Sequence, residues 1–174
     1  GIAEQTGLAA GCVRSGRLQR HADGVAIALA QGRAEGAKTL WQGQADWVVQ
    51  DAPDKGWVPP SPSGRMVRDT LSALIHPRKA VAALAAALTA HGGEIVAEGK
   101  HEGRVVHATG WQGLEEMTAQ HRRLVGNGVK GQAALLQFDA SGEPQLFADA
   151  LHIVPHLDGT VAIGSTSERE FGKP

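Results

Sequence analysis

The stretch "LHIVPHLDGTVAIGSTSE", Leu151 to Glu168, constrains the fold more than any other part of the chain. Two β-branched runs, Leu151 to His156 and Thr160 to Ser165, flank Leu157-Asp158-Gly159. Asp-Gly between such runs favours turns whose twist matches that of paired strands, so an antiparallel hairpin is expected. A lone hairpin is marginal in water and needs further strands or a helix against its apolar face. The remainder of the chain must supply them. On the first strand His152 and His156 share a face by alternation, but four residues at about 3.3 Å each separate them by roughly 13 Å. One metal ion cannot bridge that distance, and the residues alone read as polar groups on the wetter face of a hairpin.

The clearest helix is "HPRKAVAALAAALTAHGG". Pro77 suits the first helical position, Val81, Leu84, Ala85 and Leu88 form a stripe expected to face the core, and Gly92-Gly93 end it. A second helix is expected in "DGVAIALAQGRAEG", with Asp23 as N-cap, a stripe through Val25, Ala28 and Leu29, and a stop at Gly36. "GCVRSGRLQRHA" reads as a short strand or hairpin broken at Ser15-Gly16, and "LWQGQADWVVQ" as a helical turn or strand. "EIVAEG" and "RVVHATG" read as strands, the second leading into the helical "WQGLEEMTAQHRRL". Residues 51–65, which hold Pro53, Pro59, Pro60 and Pro62, read as a loop because proline neither donates to a ladder nor continues a helix. The segment from Gly128 to Thr166 adds three strands with turns at Ser141-Gly142 and Asp158-Gly159. Helices alternate with strands first and a meander closes. The fold class is therefore α+β, a mixed or antiparallel sheet with helices packed on one side, in a single domain over residues 1–174 with an internal Pro-rich loop at 51–65.

At 174 residues with 42% hydrophobic and 20% charged content, the chain can bury one core. A net charge of −1 with interspersed signs leaves no surface for a polyanion, so nucleic acid is not expected as a partner. The lone Cys12 rules out an internal disulfide and a cysteine-rich metal site, which fits a reducing compartment, the cytoplasm being expected. The longest apolar run, Ala80 to Ala90, is far short of the roughly 20 residues that span a bilayer. The chain opens on "GIAEQTG" without methionine or signal pattern and stops at "REFGKP" just after a strand, as a fragment cut at both ends would.

No G-x-G-x-x-G follows a strand, and there is no P-loop, G-x-S-x-G elbow or H-E-x-x-H. "GLAAGCVRSG" is glycine-spaced but lacks a leading strand. "RVVHATGW" carries more information. A strand ending in Thr109-Gly110 can bring bare backbone against a ligand while the following helix points its N-terminus there.

Taken in order, "HPRKAVAALAAALTAHGGEIV", "VVHATGWQGL", "VKGQAALL" and "HIVPHLDGTVAIGSTSE" resemble the flavin-dependent D-amino-acid oxidase superfamily, most closely its glycine oxidase and sarcosine oxidase-like members. The resemblance covers about Gly7 to Glu168. It implies the substrate-side portion of an FAD-dependent oxidoreductase acting on the C–N bond of an amino acid or small amine. It sets His152, where such proteins often have a tyrosine, toward substrate, and puts His156 where an arginine is usual. It also implies cofactor contacts from Thr109, Gly110 and Trp111 on the phosphate-ribose side and from His101 near adenine. The family's dinucleotide fingerprint and its C-terminal segment with the carboxylate-binding arginine lie outside these residues. FAD is accordingly expected in a full-length protein and not tightly on this chain. No residue here is required as acid or base. The competing reading is a non-catalytic binding domain built on the same sheet, which predicts no flavin.

Overall fold

The computed structural model describes residues 1–172, and these divide into two compact units, one of residues 1–93 and 133–165 and one of 94–132 and 166–172. The first unit is built on a seven-stranded sheet. Its strands are β1 (Arg17–Arg20), β2 (Trp47–Asp51), β3 (Arg65–Asp69), β4 (Ala133–Gln137), β5 (Gln145–Ala148), β6 (Leu151–Pro155) and β7 (Thr160–Gly164), in the order β2-β3-β1-β5-β6-β7-β4. Every pairing is antiparallel except that of β1 with β5, which is parallel. The sheet is mixed, and the fold is α+β.

Alternation divides the residues between the two faces. Leu18, Met66 and Leu146 form the core cluster on one face, with Ile153 beside them and Ala52, Trp57 and Val58 from the Pro-rich loop over them. That loop is anchored: Trp57 Nε1 donates to the Pro144 carbonyl at 2.8 Å, and Ser63 Oγ donates to that of His21 at 2.7 Å. The opposite face is covered at its β2–β3 end by α2 (Gly24–Trp41), where Trp47 Nε1 donates to the Ala30 carbonyl at 2.9 Å.

The Asp23 carboxylate caps α2 by accepting from the Ala26 N–H at 2.9 Å. The helix does not stop at Gly36. A glycine inside a helix is tolerated at a cost of about 1 kcal/mol, and the end comes where Gln42 and Gly43 turn left-handed, at φ 50° and 76°. Four strands, not three, follow Gly128, because the chain turns back at Asp149-Ala150 with φ of 49° and 62°. Alanine is disfavoured in that conformation, so no sequence signal marks the turn.

Two further expectations are corrected. The helix α3 (Pro77–Ala90) forms as read, but it buries Ala80, Ala83 and Ala87, while Leu84 is 55% exposed and Val81 and Leu88 are also exposed. Its close contacts are with the short α1 (Ile2–Thr6), and small side chains let two backbones approach where leucines would hold them apart. In the second unit "EIVAEG" and "RVVHATG" form no strand. A strand exists only through its ladder, and neither segment pairs with another among the described residues, which leaves Ile95, Val96 and Val106 exposed. This unit's helix is α4 (Gly110–His121), and an isolated bridge joins Lys130 to Glu168.

Among the described residues no helix is long and apolar enough to cross a membrane. The orientation of α3 sets a stability test by chemical denaturation. Leu84→Ala should cost about 0.5 kcal/mol or less, as an exposed substitution does. Ala83→Leu, at a position with 0% exposure, should cost about 1 to 3 kcal/mol by overpacking. The reverse order of costs would put the leucine stripe in the core.

Candidate functional site

Beyond the reach of α2, the non-core face of the sheet carries half-buried and exposed side chains. Across it the register sets Gln19, Phe147, His152, Gly164 and Ala133 side by side on β1, β5, β6, β7 and β4. His152 is exposed, and its ring lies on Phe147 with centroids 4.6 Å apart. On the far side of Phe147 the Arg17 guanidinium carbon lies 6.0 Å from the ring centroid. On the other flank of His152 come only Gly164 and Ala133. Both residues are small.

Arg17 is fixed from below. Its Nε donates to Asp69 Oδ2 at 3.1 Å, and Asp69, 2% exposed, also accepts from the Ser72 N–H at 2.7 Å and Ser72 hydroxyl at 3.0 Å. A buried carboxylate with three donors is a rigid anchor, so it holds the guanidinium over Phe147. Arg17, Gln19 and Phe147 were not singled out from the sequence. The signal available was the alternation in "GRLQR", where Leu18 takes the core and sends Arg17 and Gln19 to the other face.

In the second unit Thr109, Gly110 and Trp111 meet in one cavity of about 430 Å³, whose walls also include His107, Met117 and Gly128. Thr109 occupies the N-cap of α4 but its hydroxyl makes no capping bond. The first N–H groups of the helix therefore keep their hydrogen-bonding capacity. The Thr109 hydroxyl instead crosses above Gly113, where a Cβ would come within 1.6 Å of it. Trp111 and Phe171 meet edge to face at 6.3 Å and bound, with residues 128–131, a neighbouring cavity of about 330 Å³. Gly128 allows this packing, since a Cβ there would lie 3.2 Å from Phe171 Cζ. His101 does not line either cavity; its ring stands edge-on to His107, centroids 6.4 Å apart. His152 belongs to the other unit. No group of three or more His, Cys, Asp or Glu among the described residues could hold a metal ion.

Comparison with solved structures finds the same fold in two glycine oxidases. The enzyme from Bacillus cereus ATCC 14579 matches 99% of this chain with a TM-score of 0.72 at 16% identity, and that from Geobacillus kaustophilus matches 99% with a TM-score of 0.69, also at 16% identity. The chain spans 53% and 52% of their respective lengths, about half of each. No protein-family model and no curated protein matches it.

The Asp69 anchor gives a direct test. Asp69→Ala strands the Arg17 guanidinium and two Ser72 donors, and should cost about 1 to 3 kcal/mol in chemical denaturation. An unchanged midpoint would show that Asp69 does not hold this corner of the sheet.

Proposed function

We propose that this chain is the substrate-side portion of a flavin-dependent oxidoreductase that acts on the C–N bond of an amino acid or small amine. The observation that carries the reading is the fold: 99% of the chain superposes on a glycine oxidase at a TM-score of 0.72. The ordered sequence segments that resemble the same superfamily support it independently.

The residues in the second unit suit part of a dinucleotide cofactor. The uncapped N–H groups at the start of α4 are a site for the negative charge of a pyrophosphate, helped by the helix dipole. Thr109 offers a hydroxyl, Gly110 offers backbone without a side chain, and Trp111 offers an aromatic face. The residues that would hold FAD here are Thr109, Gly110 and Trp111, with His101 at the periphery. When bound, the flavin would accept a hydride from the carbon that bears the amine. This chain's own contribution is positional. His152 would hydrogen-bond the amine or carboxylate of the substrate over the open sheet face, with Phe147 fixing the imidazole plane and Gly164 leaving room for the ligand. Arg17 adds a positive charge on the same face, suited to a carboxylate. No acid or base need come from these residues, because hydride loss from a neutral amine requires none from the protein scaffold itself.

Titration of the 174-residue chain with FAD should give a dissociation constant weaker than about 1 µM, since a glycine-rich turn at a second helix N-terminus is what usually secures the pyrophosphate. The complete gene product should carry flavin absorbance as purified. Sub-micromolar binding to the chain alone would overturn the cofactor placement, and a complete product without flavin would overturn the reading itself.

In that complete product His152→Ala should fold normally, because the side chain is exposed, and should lower kcat/KM for its best amine substrate roughly 5- to 150-fold, the loss of one hydrogen bond worth about 1 to 3 kcal/mol. Unchanged kcat/KM would return His152 to an ordinary polar residue on an open sheet face.

A further inference from the structure

The turn end of the β6–β7 hairpin holds a cluster of titratable groups that the proposed chemistry does not use. His156 follows Pro155 out of β6, is 4% exposed, and its Nδ1 has no hydrogen-bond partner. Its ring lies against that of His76, with centroids 4.7 Å apart. His76 is the N-cap of α3: its Nδ1 accepts from the Lys79 backbone N–H at 3.5 Å, and its Nε2 lies 3.4 Å from Asp158 Oδ2. Lys79 Nζ reaches the same carboxylate oxygen at 2.8 Å. Gly11 closes on His76 from the loop side, where a Cβ would come within 2.9 Å of His76 Cβ.

We propose that the contact of His156 with His76 is an acid-released latch that ties the start of α3 to the β6–β7 turn, closed while the buried His156 ring is neutral and opened when that ring takes up a proton.

The chemistry of the buried ring supports release. A proton on His156 would put a cation in a buried site beside His76, with Lys79 as a second neighbouring positive charge. Burial holds the His156 pKa below the ordinary 6.5, His76 and Lys79 lower it further, and Asp158 opposes them. Asp158 itself is held well below the usual carboxylate range by hydrogen bonds from Lys79 and Thr160. It therefore stays anionic through mild acid, and the charge change comes from the His156 imidazole. The facing groups are His76 and Lys79 on α3 and Asp158 in the turn, while residues 9–12 of the packed loop contribute Cys12 and no ionic side chain.

The direction of the pH dependence follows from linkage. The closed form binds fewer protons at His156 than the open form does. Its stabilisation is full above about pH 7.5 and declines as pH falls through the ordinary 6.5 toward the lower value of the closed state. His21 is also buried, with an unpartnered Nε2 and a pKa lowered by burial, so its effect must be separated.

Hydrogen exchange read by mass spectrometry on the whole chain tests the latch, at about pH 7.5 and about pH 5.5, corrected for intrinsic exchange chemistry. Peptides over residues 74–82 and 154–161 should lose protection on the order of tenfold at the lower pH, with 65–69 unchanged. His76→Asn with His156→Phe keeps a capping side chain, removes the buried His156 titration and should abolish the response, whereas His21→Asn should preserve it. Equal wild-type protection at both pH values in the two latch peptides would overturn the proposal. So would a loss spread evenly over the sheet, or a response that survives the double substitution. The wild-type measurement decides the matter even where the double variant does not fold.

Discussion

Seven strands make one sheet because of a contact three residues long. Arg17, Leu18 and Gln19 of β1 run parallel to Gln145, Leu146 and Phe147 of β5, and this pairing alone joins the antiparallel group β2-β3-β1 to the antiparallel group β5-β6-β7-β4. Parallel neighbours cannot be linked by a tight turn, so the two strands come from opposite ends of the chain and carry a large loop-closure cost. Burial offsets it: Leu18 and Leu146 sit opposite one another in the core with Met66. The entry to β1 is equally constrained. Gly16 has φ of 75°, and a Cβ there would lie 2.5 Å from the Asp69 carbonyl oxygen, so only glycine admits the chain between β3 and the turn that follows it.

The same junction creates the candidate substrate face. Since alternation is strict, placing Leu18, Leu146 and Ile153 in the core forces Arg17, Gln19, Phe147 and His152 onto the other side. A one-residue slip in either strand would send the polar row into the core and the leucines into water, at a cost of several buried side chains of about 1.5 to 3 kcal/mol each. Core and polar row are thus two consequences of one register. The buried Asp69 carboxylate pairs with the partly exposed Arg17, and it fixes the cation of the row that stands over an aromatic ring.

How much of this was legible in the sequence depended on whether the deciding signal was local. The Asp158-Gly159 hairpin, the Asp23 cap, the Pro77 start and the Pro-rich loop, read over 51–65 and formed by 52–64 because Asp51 closes β2 and Arg65 opens β3, all rest on backbone rules that act over a few residues. The turn at Asp149-Ala150 was not legible, because alanine with positive φ runs against the same rules. Nor was the face that α3 buries. In a helix where alanines and leucines form separate stripes, the larger stripe has more apolar surface, but the smaller one permits closer backbone approach. Which prevails depends on what the helix meets, and that is a tertiary fact. The same holds for the segments at 94–99 and 104–109, whose composition favours strands but whose ladder needs a partner.

The two histidines of β6 show where periodicity itself runs out. Alternation put His152 and His156 on one face, and that inference holds only while the strand continues. It ends at Pro155, after which the His156 N–H bonds back to the Thr160 carbonyl at 2.7 Å and its side chain turns into the protein. One histidine is left exposed beside Phe147, and the other is enclosed against His76. Nothing near His156 in the sequence announces a partner, because His76 is brought there by the cap of a distant helix. The imidazole next to a strand end is decided by two local rules acting together, the turn that closes the hairpin through the His156 N–H and the N-cap that fixes the opposing ring, and neither is visible from the other's position in the chain.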